Sequence, residues 1–147
     1  MITTTSKFQV NADQISIWNL MNDPVELGKC IPGCEEVIVI NETDSRWKMK
    51  INVGVISRKI DAKAKVTHRV QPSDLEINLE GVDGDLSGQF IVTLASANPN
   101  VTSINFTANI NARGPFQWIV NQVIRSQLDS FVDNFSHCIS KKIEAPR

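Results

Sequence analysis

The sequence predicts one α+β domain over residues 1–147, in which a curved antiparallel sheet of about seven strands wraps around one long C-terminal helix. Three observations support this fold class. The middle of the chain alternates apolar and polar residues, whereas the segment after Gly114-Pro115 has the period of a helix. The 147 residues, 41% hydrophobic and 21% charged, suffice for one core and are too few for two comfortable domains.

The N-terminal part of the chain predicts a strand followed by two short helices. Residues 3–10 form the strand, and residues 13–21 form the first helix, with Asn11 or Asp13 at its N-cap. The second helix begins at Asp23-Pro24, because proline is tolerated in a first turn. It ends before Pro32-Gly33, which cannot continue a helix.

Segments with strict two-residue alternation predict strands with one solvated and one buried face; they are residues 46–55, 60–70, 75–80 and 104–113. Turn signals separate the strands at residues 41–44, 71–74, 81–84 and 98–100. The strands therefore follow one another as an antiparallel meander.

The final helix extends from Pro115 to about Lys142 and carries a broad apolar stripe. Its partner is the buried face of the sheet. Several positions on that face are small, which leaves volume between sheet and helix. We therefore predict an internal pocket lined by Ala62, Ala64, Phe106, Ala108, Val120, Ile124 and Phe131. The alternative is a solid core, filled by the aromatic residues of the helix.

Two polar residues occupy positions where the pattern calls for apolar ones. His68 lies between Val66 and Val70 on the inward side of its strand, and Gln127 lies within the apolar stripe of the helix. Buried polar groups cost about 1–3 kcal/mol unless they find partners. They are therefore predicted either to orient a mostly apolar ligand or to bond nearby backbone groups and water.

Composition excludes several functions. Fifteen basic and sixteen acidic residues give a net charge of −1, without the basic excess of a nucleic-acid-binding protein. Neither a P-loop, a Gly-x-Ser-x-Gly motif nor a His-Glu-x-x-His motif is present, so no catalytic residue is assigned. No apolar run approaches the length of a membrane span, and the N-terminus lacks the features of a signal peptide.

The three cysteines, Cys30, Cys34 and Cys138, are expected to be reduced thiols in a cytoplasmic protein. The two histidines lie far from them in sequence, so no metal site and no cofactor are predicted.

Basic residues recur on the outer face of two neighbouring predicted strands: Arg46, Lys48, Lys50, Lys63, Lys65 and Arg69. A solvated exterior with cross-strand pairing is the ordinary interpretation. A docking surface for an acidic partner or an anionic membrane is the alternative.

Several segments together resemble the CoxG family of carbon monoxide dehydrogenase subunits, which belongs to the START-like, polyketide-cyclase-type superfamily. They are residues 8–12 (FQVNA), 18–24 (WNLMNDP), 30–37 (CIPGCEEV), 53–54 (VG), 81–84 (GVDG) with Gly88, and 113–114 (RG). The resemblance covers nearly the whole chain, and the segment around Ile31-Pro32-Gly33 is its most specific part.

This resemblance implies a helix-grip fold and a non-catalytic protein with an apolar cavity under the last helix. It also implies an association with a molybdenum-containing carbon monoxide dehydrogenase, and roles in membrane recruitment and in handling a lipophilic quinone. Longer members carry a C-terminal extension that engages the membrane, whereas this chain stops at Arg147. Peripheral contact is therefore the most that is expected with a membrane.

The leading hypothesis is a cytoplasmic module that holds a lipid- or quinone-like molecule and serves a molybdenum hydroxylase. Two alternatives remain open: a cyclase- or aromatase-type enzyme that uses His68 in the cavity, and an interaction module with a solid core. A pair of polar residues facing inward would favour the enzyme, and a filled core would favour the interaction module.

Overall fold

The computed structural model describes residues 2–31, 33–53, 55–114 and 116–144. Within these ranges, the side chains at 2, 4, 53, 56, 116, 119, 120, 123–132 and 144 lie outside the description.

Seven strands and three helices alternate along the described chain as the sequence predicts. Their bounds are β1 Ile2–Val10, α1 Gln14–Met21, α2 Pro24–Lys29, β2 Cys34–Val39, β3 Asp44–Val53, β4 Ile56–Val70, β5 Asp74–Gly81, β6 Leu86–Asn98, β7 Val101–Ala112 and α3 Phe116–Glu144. The strands form one antiparallel sheet in the order β1-β7-β6-β5-β4-β3-β2. The predicted fold class, a helix-grip arrangement of a curved sheet and a long C-terminal helix, is confirmed.

Aspartate side chains begin both short helices. Asp13 accepts hydrogen bonds from the Ser16 backbone N–H (3.1 Å) and the Ser16 hydroxyl (2.6 Å), which together lower the pKa of the Asp13 carboxyl. Asp23 accepts from the Val25 N–H at 3.1 Å, and Pro24 occupies the first turn of α2. Because these bonds satisfy free N–H groups, the chain enters α1 and α2 where the sequence predicts.

Gly33 closes the turn from α2 into β2. Its φ of +86° lies in the left-handed region, and a Cβ placed there would lie 2.7 Å from the Lys50 carbonyl oxygen. The Gly33 carbonyl accepts a 2.7 Å hydrogen bond from the Lys50 N–H. Only glycine permits both this backbone conformation and this close approach to β3.

An irregularity in β4 corrects one part of the predicted strand pattern. Val66 pairs with Ile77, but the next partners are His68 and Glu76, so β4 advances two residues while β5 advances one. The extra residue is a β-bulge, and it reverses the faces of all later side chains. His68 is consequently exposed rather than inward, and Arg69 pairs with the buried Leu75 instead of continuing the outer basic row.

The core lies between the concave face of the sheet and the helices. Its most completely buried members include Ile17 of α1, Ile104 of β7 and Ile139 of α3, all at 0% exposure. Trp18 and Trp47 are buried in the same cluster. Phe135 of α3 packs edge-on against Phe8 of β1, with ring centroids 6.0 Å apart. One apolar cluster thus joins all three layers of contact: β1–β7, α1 and α3.

Two bonds attach α2 to the C-terminal part of α3. Cys30, the C-cap residue of α2, forms a disulfide with Cys138, which corrects the expectation of three reduced thiols. Spacing in sequence gave no sign of this pair, because 108 residues separate its members. Glu26 of α2 also binds Lys142 at 2.8 Å and Lys29 at 3.1 Å. The disulfide removes the cysteine-based argument for a reducing compartment.

Cys34 is the free cysteine of the described chain, and burial raises the pKa of its half-buried thiol. Within the described residues, no helix combines the length and apolarity that crossing a bilayer requires.

The outer face of β3 and β4 carries the basic residues that the alternation predicts, apart from Arg69. Arg46 forms a two-pronged contact with Asp61 across the strands, at 2.9 and 3.3 Å. Lys50 and Lys59 are direct cross-strand partners of like charge. Part of this face is therefore paired, as an ordinary sheet exterior would be.

Replacing Cys138 by serine is expected to lower the free energy of unfolding by about 2–5 kcal/mol, because the cross-link constrains a long loop in the unfolded chain. Equilibrium urea denaturation with and without dithiothreitol measures this loss. Cys34→Ser is the matched control and should leave stability nearly unchanged. Wild-type protein that titrates three free thiols in urea without reductant would contradict the disulfide.

Glu26→Gln is expected to destabilise the protein at pH 7 and to have progressively less effect in acid. Hydrogen bonds from Lys142 and then Lys29 lower the pKa of Glu26 from its ordinary value of 4.5. A carboxyl with a lowered folded-state pKa contributes stability above its unfolded pKa and loses it as the pH falls through the folded value. Thermal melts of both proteins from pH 7 down to pH 2 measure the convergence.

Glu35→Gln is the control for that series, since Glu35 is exposed and forms no ion pair among the described residues. A constant difference between Glu26→Gln and wild type at every pH would contradict the role assigned to the ion pair.

Candidate functional site

A small pocket opens on the concave face of the sheet, where the junction of α1 and α2 covers β3, β4 and β5. Its lining comprises Met21, Asn22, Pro24, Leu27, Asn41, Glu42, Thr43, Asp44, Ser45, Trp47, Ala64, Val66, Arg69, Leu75 and Ile77. The space available is about 20 Å³. A single water molecule needs about 10–15 Å³ measured in this way, so the pocket admits only a few atoms as it stands.

The inner wall of this pocket is apolar. Trp47 of β3 is 6% exposed and Leu75 of β5 is 3% exposed. The Trp47 indole N–H donates a 2.9 Å hydrogen bond to the Ser45 hydroxyl, which fixes the ring and satisfies its polar atom. Ala64, between these strands on β4, has a short side chain that leaves room beside the indole. The wall therefore suits an apolar group.

The turn between β2 and β3 forms one side of the rim. The Asn41 side-chain oxygen accepts from the Thr43 and Asp44 backbone N–H groups, both at 2.9 Å, which shapes the turn. Arg69 of β4 reaches this turn from the opposite side, and its guanidinium donates to the Glu42 carbonyl oxygen at 3.0 Å. The rim is thus polar, in contrast to the apolar wall.

The structure brings together only part of the predicted pocket lining. Ala62, Ala64, Phe106 and Ala108 are all buried on the concave face, but Ala64 alone contributes to the pocket described above. Phe106 stacks on Phe90 with centroids 5.7 Å apart and contacts Phe135 at 6.2 Å, so aromatic packing fills that region. The side chains of Val120, Ile124, Gln127 and Phe131 lie outside the described residues, and their placement stays a prediction.

His68 does not face the pocket. The bulge after Val66 directs it to the outer face beside Glu76, where it is exposed. The inward placement predicted from the alternation was wrong, because that prediction assumed an unbroken period of two through residue 70.

Sequence reasoning missed Arg69 and the part played by Trp47. The available signal was the run Thr67-His68-Arg69, three consecutive polar residues within a strand that otherwise alternates. Such a run is compatible with a bulge, since a bulge lets two neighbouring residues oppose one partner.

Metal chemistry has no evident ligands in the described parts of the chain. No group of three or more histidine, cysteine, aspartate and glutamate side chains lies close enough there to hold an ion.

The family model for CoxG, a carbon monoxide dehydrogenase subunit, matches residues 6–144. The chain belongs to the CoxG family. The resemblance found in the sequence is thereby confirmed. The search of curated proteins found no match.

Solved structures share the fold of this CoxG-family chain. A conserved protein from Geobacillus kaustophilus superposes with a TM-score of 0.82 at 22% identity, covering 97% of this chain and 95% of its own. A START superfamily protein from Mycobacterium smegmatis gives 0.73 at 10% identity, covering 97% of both chains. The Zhui aromatase/cyclase from Streptomyces sp. R1128 gives 0.71 at 9% identity, covering 98% and 96%. At these identities the likeness concerns the fold alone.

Ser45→Ala is expected to cost about 1–3 kcal/mol of unfolding free energy, because it leaves the buried Trp47 N–H without a partner. The matched control is Ser103→Ala. The Ser103 hydroxyl is buried and has no hydrogen-bond partner within the described residues. Removing it should leave stability unchanged or raise it, and urea denaturation of both variants measures the contrast. Equal losses in the two variants would contradict the importance of the Ser45–Trp47 bond.

Proposed function

We propose that this chain is a non-catalytic protein that binds a hydrophobic small molecule at the pocket beneath α1 and α2. The observation that carries the proposal is the apolar wall formed by Trp47, Leu75 and Ile77 on the concave face, open to solvent at a polar rim. Membership of the CoxG family and the START-like fold also support a hydrophobic ligand. A lipid- or quinone-like molecule is the ligand class we propose.

A ligand of that size requires the pocket to widen. The present space of about 20 Å³ accommodates only a few atoms, so α1–α2 and the β2–β3 turn must move away from the sheet on binding. A ligand that buries on the order of 400 Å² of apolar surface gains about 10 kcal/mol at 25 cal/mol per Å². Association and ordering cost at least about 4 kcal/mol, so micromolar or weaker affinity is expected.

The absence of catalysis is part of the proposal. The competing hypothesis of a cyclase-type enzyme depended on His68 as an acid or base inside the cavity, and His68 is exposed on the other face of the sheet. An apolar wall offers no second group for proton transfer.

The family name supports a further part of the proposal, an accessory role for a molybdenum-containing carbon monoxide dehydrogenase. Retention of that enzyme by the immobilised chain, and loss of retention with excess free chain, would support this role. Passage of the enzyme without retention would remove it while leaving ligand binding intact.

A second candidate, an interaction module with a solid core, is favoured by the small volume of the pocket. The two candidates differ in whether an uncharged apolar molecule binds. Mass spectrometry of an organic extract of the purified protein identifies a retained ligand, and titration with the uncharged fluorophore N-phenyl-1-naphthylamine measures binding directly. Saturable fluorescence enhancement supports the proposed function, whereas its absence supports the solid module.

Ala64→Leu is expected to abolish binding of N-phenyl-1-naphthylamine, because the larger side chain fills the space beside Trp47. Overpacking at this site should cost about 1–3 kcal/mol of stability, which the fold tolerates. Ala97→Leu, on an exposed position of β6, is the control and should bind the probe as wild type does. Unchanged binding by folded Ala64→Leu would place the ligand elsewhere.

A further inference from the structure

One cationic side chain interrupts the apolar concave face. On β4 and β5 the residues that the pairing places on this face are otherwise small or apolar: Ile60, Ala62, Ala64, Val66, Leu75, Ile77, Leu79 and Gly81. Arg69 joins this set only because of the bulge, which pairs it with the buried Leu75. Its guanidinium consequently lines the rim of the pocket above Leu75 and Ile77.

Most of the hydrogen-bonding capacity of Arg69 is available to a ligand. A guanidinium carries five N–H donors in a planar fork, and the contact given for this one is the bond to the Glu42 carbonyl. Within the described part of the chain, Arg46 and Arg58 each pair with aspartate, but no carboxylate forms an ion pair with Arg69. The Glu42 carbonyl therefore orients the side chain without neutralising its charge.

Two acidic residues share the rim, and neither is placed to neutralise this charge. Asp44 precedes the buried Ser45 and pairs with the exposed Lys65, so its side chain lies on the outer face. Its carboxylate accepts a 3.2 Å hydrogen bond from the Thr43 hydroxyl. Glu42 is exposed on the turn and contacts Arg69 through its backbone.

We propose that Arg69 binds the carboxylate of an amphiphilic ligand whose apolar body lies against Trp47, Leu75 and Ile77. This inference rests on the proposed function and narrows its ligand class to hydrophobic monocarboxylates. Arginine presents a planar pair of donors that matches the two oxygens of a carboxylate, and a single charge at the rim of an apolar pocket fixes which end of the ligand enters. Arg69 thus takes the orienting role that the sequence pattern suggested for His68.

The test compares decanoate with decanol, which have the same chain length and differ in charge. Each is titrated as a competitor against N-phenyl-1-naphthylamine in wild type and in Arg69→Gln. We expect Arg69→Gln to weaken decanoate by about 5- to 20-fold, between the effect of an exposed ion pair and that of a charge-assisted hydrogen bond. Decanol should change by less than about twofold, since it does not need the positive charge.

Lys65→Gln is the matched control, because it removes one positive charge from the outer face of the same strand. It should leave both competitors unchanged, which excludes a general effect of net charge. Arg69→Lys keeps the charge but loses the planar fork, and it should recover only part of the decanoate affinity. This variant also serves if Arg69→Gln does not fold, which circular dichroism would show.

The outcomes separate this inference from the proposed function. Equal weakening of decanoate and decanol in Arg69→Gln would mean that Arg69 only shapes the β2–β3 turn, and it would overturn the inference. Unchanged decanoate binding would overturn it as well. A wild-type protein that binds neither the fluorophore nor either competitor would remove the proposed function and this inference together.

Discussion

The attachment of α2 to α3 is the constraint on which the rest of the structure depends. Alone, α2 has only six residues, too few to be stable in water without tertiary contacts. The Cys30–Cys138 disulfide and the Glu26–Lys142 ion pair hold it against the last turns of α3. Because Pro24 and Leu27 of α2 cover the pocket, the same two bonds determine where the concave face is accessible.

The fold was predictable from sequence because most of its determinants are local. Alternation in residues 46–55 and 104–113 corresponds to β3 and β7, and the helical period after Pro115 corresponds to α3. Asp13 and Asp23 begin α1 and α2 through hydrogen bonds to residues two or three positions ahead. Each of these signals acts over a few residues, so a single sequence displays it.

The site was less predictable because its geometry depends on two non-local features. The bulge after Val66 is a property of the pairing between β4 and β5, and the alternation alone places His68 and Arg69 on the wrong faces. The Cys30–Cys138 pair depends on how α3 returns to α2, which spacing in sequence does not reveal. Ala64 was assigned to the pocket correctly because its position precedes the bulge.

The pairing of the first strand with the last sets the timing of folding during synthesis. Ile2 of β1 lies opposite Ile110 of β7, so β1 has no partner in the sheet until most of the chain has been made. At about 5–20 residues per second, the ribosome needs several seconds to cover that distance. During this interval the N-terminal strand is an unpaired edge, and sheets closed by such distant pairings fold slowly, in milliseconds to seconds. Nascent chains of this protein therefore pass through a period in which chaperones have an open strand to bind.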